Sequence, residues 1–146
     1  MSGADIVHEA RRWIGTPYLH QASTRGAGCD CLGLLRGIWR ELCGPEPVMV
    51  PAYTADWDEV AREDTLRRAA KQHLQEKSHL EPCAGDVLLF KMRRGAIAKH
   101  VGIHSGSGRF IHAYSGHGVV ESALTDAWRR RIAGVFVFPD FSAGSH

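Results

Sequence analysis

The chain has 146 residues, a length that fits one domain with a single hydrophobic core. Apolar residues make up 44% and charged residues 23%, which is typical of a globular protein and excludes a disordered or fibrous chain. The net charge of +2 is too small for the concentrated basic face that nucleic acids require, so we expect no nucleic-acid partner.

The N-terminal stretch MSGADIVHEARRW lacks the basic and then apolar pattern of a secretory signal. No apolar window approaches the roughly 18 residues that a membrane span needs. We therefore expect synthesis in the cytoplasm without a signal peptide, and no membrane partner. The four cysteines stand at irregular spacing, unlike a secreted disulfide framework, so we expect them to be made as free thiols.

Helical spacing of apolar residues dominates the N-terminal part of the chain. It predicts a first helix from Ala4 to Ile14, which the turn residues 15–17 end. A polar loop leads to a second helix, which carries Cys31 in its first turn and stops at the Gly44-Pro45 pair. An extended connection is expected over 45–55.

The sequence pattern changes from helical to alternating after Pro82. Residues 56–77 still predict a third helix. Downstream, alternation of apolar and polar residues predicts five strands, over 87–90, 99–104, 109–114, 119–122 and 132–138. Helices followed by strands indicate an α+β domain, with N-terminal helices (about 1–80) packed on a C-terminal antiparallel β-sheet (about 84–140).

Among the four cysteines, helix position favours Cys31 as a nucleophile. Its place in the first turn of a helix predicts a lowered thiol pKa, because unpaired N–H groups and the helix dipole favour the thiolate. Cys43 lies in the last turn, where the dipole acts in the opposite sense, and Cys29 and Cys83 lie outside the helix. Without a base, an inert buried thiol on an apolar face is the simpler interpretation.

His100 and His112 are the candidate basic groups, on two neighbouring predicted strands. Matching the apolar faces of these strands places His112 opposite Gly102, diagonal to His100 and within hydrogen-bond reach. His100 would then act as the general base towards Cys31, with His112 orienting its ring. We expect His104, on the same face, to be partly exposed and without function.

Metal binding is the main competing use of these side chains. Cys29 and Cys31 with the two histidines offer four ligands, but zinc sites usually separate paired cysteines by two or more residues. We therefore expect no metal and no cofactor. A serine nucleophile is disfavoured because no Gly-x-Ser-x-Gly motif is present.

Three sequence blocks follow one another along most of the chain: GTPY at 15–18, DCLGL at 30–34, and AGDVLLF at 84–90 leading into HVGIHSGSGRFIHA at 100–113. Together they resemble the NlpC/P60 family of papain-like cysteine peptidases, which hydrolyse amide bonds in bacterial cell-wall peptides. The resemblance implies a single papain-like α+β domain over 1–146.

The same resemblance implies a role for five residues. Cys31 would be the nucleophile, His100 the base and His112 the third polar residue. Tyr18 would place its hydroxyl near the oxyanion, and Asp30 would help to hold the amino end of the peptide substrate. The implied substrate is a peptidoglycan stem peptide, cut between D-glutamate and diaminopimelate.

The run PYLHQAS…GCDCLGL…AKHVGI…HAYSGHGVVES is most similar to the branch of this family encoded among phage tail and gene-transfer-agent genes. That likeness implies a peptidase carried by a virion or tail particle, acting on the cell wall, with tail or baseplate proteins as partners. Two alternatives stay open: a structural tail or baseplate component with a silenced site, and a thiol acyltransferase or esterase of the same fold.

Overall fold

The computed structural model describes residues 2–46, 65–78, 81–91 and 98–139. The helices are α1 (Gly3–Arg11), α2 (Cys31–Leu42), α3 (Thr65–His73) and α4 (Asp126–Arg129). The strands are β1 (Ser23–Thr24), β2 (Gly28–Cys29), β3 (Gln75–Glu76), β4 (Val87–Lys91), β5 (Ala98–Gly106), β6 (Arg109–Tyr114), β7 (Gly118–Ala123) and β8 (Ile132–Val137). Most of the predicted connection over 45–55, and the first part of the predicted third helix, lie outside the described residues.

An antiparallel sheet of six strands forms the centre of the fold, in the order β3-β8-β4-β5-β6-β7. Strands β1 and β2 form a separate two-stranded pair. Each of the five predicted strands is present, so the predicted α+β architecture is confirmed. Within the described ranges, no helix is long and apolar enough to cross a membrane.

Helix α1 ends at Arg11, three residues before its apolar pattern predicts. The chain continues as a tight turn, in which Trp13 and Ile14 each donate a backbone hydrogen bond three residues back. Gly15 then adopts a φ of +93° and donates its N–H to the Val119 carbonyl of β7. This contact with the sheet redirects the chain, so Trp13 is buried whereas Ile14 is 44% exposed.

Helix α3 also ends early, at His73 instead of residue 77. Residues 75–76 form β3, which pairs with residues 136–137 of β8 and extends the sheet by one strand. Pairing with a sheet edge has overridden the helical propensity of this segment. The predicted apolar residues Leu66, Ala70 and Leu74 are buried, as expected.

The sheet has two buried faces. One face joins the main core, in which residues of α1, α2 and α3 pack against Val87, Leu89, Val101, Ile103, Ile111, Ala113, Val119 and Phe136. The opposite face carries a smaller cluster of Leu88, Phe90, Phe110, Leu124 and Val135, with Trp128 of α4 packed against it. Burying a side chain of this size stabilises the fold by roughly 1.5–3 kcal/mol. The alternation along β5 and β6 therefore separates the face packed against α1, α2 and α3 from the face that carries the histidines.

Strands β5 and β6 pair in the register that the sequence predicts. Ile103 lies opposite Ile111, and continuing this ladder places Gly102 opposite His112. Glycine suits position 102, because a Cβ there would lie 3.0 Å from the Phe110 ring and 3.2 Å from the Cβ of His112, so these neighbours would have to shift. The missing side chain lets the two strands bring their histidines together.

Candidate active site

Cys31 is the first residue of α2, and Asp30 is the N-cap that fixes the start of this helix. The Asp30 carboxylate is 2% exposed and accepts hydrogen bonds from the backbone N–H groups of Gly33 and Gln21, each at 2.7 Å. One oxygen caps the helix and the other holds the preceding loop. Asp30 therefore positions Cys31. Its expected part in binding the substrate's amino end stays a prediction.

The Cys31 sulfur lies beside the backbone N–H of Val101, the residue that follows His100 on β5. The N–H groups of Cys31 and Leu32 also point to it and favour the thiolate. Burial, reinforced by the negative charge of Asp30, outweighs these donors and raises the pKa of the thiol to about 12. The prediction of a lowered thiol pKa is therefore wrong, and Cys31 needs a base to ionise.

His100 and His112 form the buried pair that the strand register predicts. Nε2 of His100 lies 2.8 Å from Nδ1 of His112, and both rings lie against Trp128 on the sheet face that carries the smaller cluster. His100 is 6% exposed and His112 1% exposed. The diagonal contact across the hairpin is confirmed, and it leaves Nδ1 of His100 as the nitrogen that can exchange a proton with a substrate or a thiol.

Both imidazoles are neutral at physiological pH. Burial lowers the pKa of His100 to about 3, with a smaller contribution from the charge that His112 would carry. Burial likewise lowers the pKa of His112 to about 4, and His117 adds to this effect. A neutral imidazole can accept a proton, so His100 is in the protonation state that a general base requires.

Ser122 of β7 continues the chain of hydrogen bonds, since its Oγ lies 3.0 Å from Nε2 of His112. If this nitrogen donates to the serine oxygen, Nδ1 of His112 accepts from Nε2–H of His100. Nδ1 of His100 then carries no proton and is the basic atom. Ser122 is a site residue that the sequence motifs did not indicate, although the alternation along β7 places it on the same face as His112.

Tyr18 lies next to the sulfur because it forms a parallel bridge with Cys29, two residues before Cys31. Burial raises the pKa of its phenol to about 12, and the charges that Cys31 and Asp30 would carry raise it further. The hydroxyl therefore keeps its proton and can donate a hydrogen bond. With the ring 36% exposed, the geometry suits the oxyanion role predicted for Tyr18, and that role stays a prediction.

An open cleft of about 350 Å³ lies beside Tyr18. Its walls are the segment 15–18 and the turn 116–118, which backbone hydrogen bonds from Gly15 to Val119 and from Val119 to Thr16 hold together. A volume of this order is at the lower end of ligand-binding clefts. The cleft is a candidate entry for a substrate on the Tyr18 side of the site.

His104 differs from its expected environment. It is 6% exposed and not partly exposed as predicted, and its Nδ1 has no hydrogen-bond partner in the described part of the chain. Over the same residues, no group of three or more His, Cys, Asp and Glu side chains is arranged to hold a metal ion. The four cysteines are all free thiols.

A cysteine at a helix N-terminus, beside β5 whose His100 is paired with His112 of β6, places this α+β domain in the class of papain-like thiol enzymes. Residues 15–137 match the NlpC/P60 family, and the chain belongs to that family.

Two named bacterial hydrolases are similar in sequence to this chain. The chain is 29% identical over 138 residues to the gamma-DL-glutamyl hydrolase of Bacillus subtilis, covering 94% of this chain and 30% of that protein. It is 30% identical over 127 residues to the murein DD-endopeptidase MepS/murein LD-carboxypeptidase of Escherichia coli K12, covering 86% of this chain and 57% of the relative. The chain thus spans about a third to somewhat over half of these relatives.

Solved structures show the same fold. The NlpC/p60 domain of the peptidoglycan hydrolase SagA aligns with a TM-score of 0.61 and 26% identity, over 95% of this chain and 99% of that domain. NlpC2 from Trichomonas vaginalis aligns with a TM-score of 0.70 over 93% of this chain and 46% of its own, at 18% identity, which supports the fold alone. The predicted papain-like NlpC/P60 fold is confirmed.

Proposed function

We propose that this chain is a cysteine peptidase that hydrolyses an amide bond in peptidoglycan stem peptides, between D-glutamate and diaminopimelate. The observation that carries the proposal is the site itself: Cys31 begins α2 beside β5, and β5 carries a neutral base bonded to a second histidine. The murein endopeptidase and gamma-glutamyl hydrolase names of the relatives support the substrate class and the glutamyl bond.

The first chemical step is attack on the scissile carbonyl carbon. Nδ1 of His100 accepts the thiol proton of Cys31 as the sulfur forms a bond to this carbon. Because the thiol pKa is raised and the pKa of His100 is lowered, proton transfer accompanies the attack and does not precede it. The resting enzyme is therefore a neutral thiol and a neutral imidazole.

The tetrahedral intermediate carries its charge on the former carbonyl oxygen. We assign the Tyr18 hydroxyl, which keeps its proton, and the backbone N–H of Cys31 as the donors that stabilise this oxyanion. The imidazolium of His100 then gives its proton to the leaving amine, the C–N bond breaks, and a thioester remains on Cys31. Water gives a proton to His100 as its oxygen attacks the thioester carbon. The C–S bond then breaks, His100 returns the proton to the sulfur, and the carboxylic acid product leaves and ionises in solvent.

Digestion of purified peptidoglycan tests this function. We expect the wild-type protein to release fragments whose masses correspond to a cut between D-glutamate and diaminopimelate, and the Cys31→Ala variant to release none. Mass spectrometry of the soluble products gives the bond directly. Acyl transfer from a lipid donor, with no release of wall peptides, would instead establish the acyltransferase alternative.

We further propose that the protein acts from a phage-like or gene-transfer-agent tail, where it opens the cell wall. Support comes from the sequence run that begins PYLHQAS and ends GVVES. We expect proteomics of purified particles to detect the protein in proportion to tail components. Its absence from particles, with detection only in the cell fraction, would reject the tail location. Equal infectivity of particles with Cys31→Ala and wild-type protein would favour a structural role.

A further inference from the structure

Trp128 of α4 lies against the aromatic side chains that surround the histidine pair. Its ring centroid is 5.4 Å from that of His112, 5.9 Å from that of His100 and 5.9 Å from that of Tyr114. It also lies 5.1 Å from the rings of Phe90 and Phe110, which flank the pair on β4 and β6. One indole therefore contacts both histidines and three of their aromatic neighbours.

The short helix that carries Trp128 is fixed at both ends. Thr125 is its N-cap and accepts a hydrogen bond from the Trp128 backbone N–H. Past the other end of the helix, the Arg131 guanidinium lies over the indole, 5.8 Å from the ring centroid, and the Arg131 carbonyl accepts from the N–H of Lys91 on β4. These contacts hold the indole in place over the histidine-bearing face of the sheet.

We infer that Trp128 is a positioning residue for the proposed catalytic pair: its indole covers the hydrogen bond between His100 and His112, excludes water from it, and holds the two ring planes. The inference rests on the proposed function and goes beyond it, because neither the chemical steps nor the family motif involves α4. Trp128 acts through the histidines and does not touch the reacting atoms.

The physical basis is competition between water and the ring nitrogens. A hydrogen bond away from water is stronger than one in solvent, and here it fixes which nitrogen of His100 carries a proton. The indole meets the His112 ring edge-on, at 81°, and the His100 ring at 35°, so it restricts both rings. If water reaches the pair, each ring can hydrogen-bond to water instead of to the other ring. A smaller fraction of molecules then has an unprotonated Nδ1 on His100.

Within the described residues, four charged or titratable side chains surround the histidine pair. Tyr114 stacks on His112, and His117 stacks on Tyr114. The Arg131 guanidinium lies over the far side of the indole. The Cys31 sulfur, at the start of α2, lies beside the backbone N–H of Val101. None of these is an acidic group that would hold a proton on the imidazoles. Exclusion of solvent is therefore what keeps the pair neutral, and α4 provides part of that exclusion.

The test compares Trp128→Ala and Trp128→Phe with wild type. Activity on a stem peptide is measured against pH, and NMR of the imidazole nitrogens follows the titration of both histidines without any substrate. We expect Trp128→Ala to lower kcat about 10- to 100-fold with little change in KM, since misplaced catalytic groups lose rate. The acid limb of the pH profile and both histidine pKa values should move up by about one unit or more, towards 6.5.

Trp128→Phe keeps an apolar ring and should restore most of the rate and of the low histidine pKa values. Trp39 is a buried tryptophan of the main core on α2. Trp39→Phe is therefore the matched control and should leave the acid limb of the pH profile in place.

Unchanged titration of both histidines in Trp128→Ala overturns the inference. If that variant does not fold, Trp128→Leu, which removes the aromatic ring, takes its place in the same NMR titration: raised histidine pKa values support the inference, and unchanged values overturn it. Because NMR needs no substrate, failure of the proposed peptidase activity is distinguished from failure of this inference.

Discussion

Replacement of Cys31 by alanine is expected to lower kcat for stem-peptide hydrolysis by about 10⁴-fold or more, because removal of the nucleophile leaves only binding and oxyanion stabilisation. KM and the thermal unfolding midpoint should change little. The side chain is small, and the cap of α2 comes from Asp30, which the substitution leaves in place. Product release followed by mass spectrometry and a thermal melt together measure both quantities.

Cys43→Ala is the matched control for this experiment. Cys43 is also a partly buried cysteine that forms no disulfide, and it stands at the C-cap of α2, whereas Cys31 is the first residue of that helix. Burial raises the pKa of the Cys43 thiol too, but Cys43 stands at the other end of α2 from Cys31. We expect wild-type rates from this variant. Full activity in Cys31→Ala would reject the thiol mechanism altogether.

The position of the histidine pair could be predicted from the sequence because three local constraints agree. Alternation along β5 and β6 assigns each residue to a face, and a shift by one residue would expose the whole apolar set. Gly102 provides the space that His112 needs. The register follows from these requirements without knowledge of the rest of the fold, and the 2.8 Å contact between His100 and His112 is its result.

The surroundings of the pair could not be predicted in the same way. Helix α4 has four residues, too few to show helical periodicity, so nothing in its sequence places Trp128 over the histidines. The thiol pKa of Cys31 depends on how α2 packs against β5, which is a tertiary property that helix position does not contain. Strand β3 forms because the edge of β8 is available to it. Local sequence patterns define the helices, the strands and the face to which each strand residue points. The burial of a side chain such as Cys31, and the residue that packs over it, depend on the complete fold.

Replacement of His100 by alanine is expected to lower kcat at neutral pH by about 10³-fold, at the middle of the range for loss of a general base. In the wild type the base is already deprotonated, since burial lowers the pKa of His100 to about 3, and the rate should be nearly independent of pH between about 6 and 8. In the variant, ionisation of the Cys31 thiol must come from solvent, and burial raises the pKa of that thiol to about 12.

The residual rate of His100→Ala should therefore rise about tenfold for each pH unit between about 7 and 10, because the thiolate fraction rises tenfold per unit below the thiol pKa. His104→Asn is the matched control: His104 lies on the same strand and the same face and is equally buried, so this variant should keep the flat wild-type profile. Initial rates on a stem peptide across this range measure the slope. A pH-independent residual rate would mean that His100 does not take the thiol proton, and the base would then have to be sought elsewhere around Cys31.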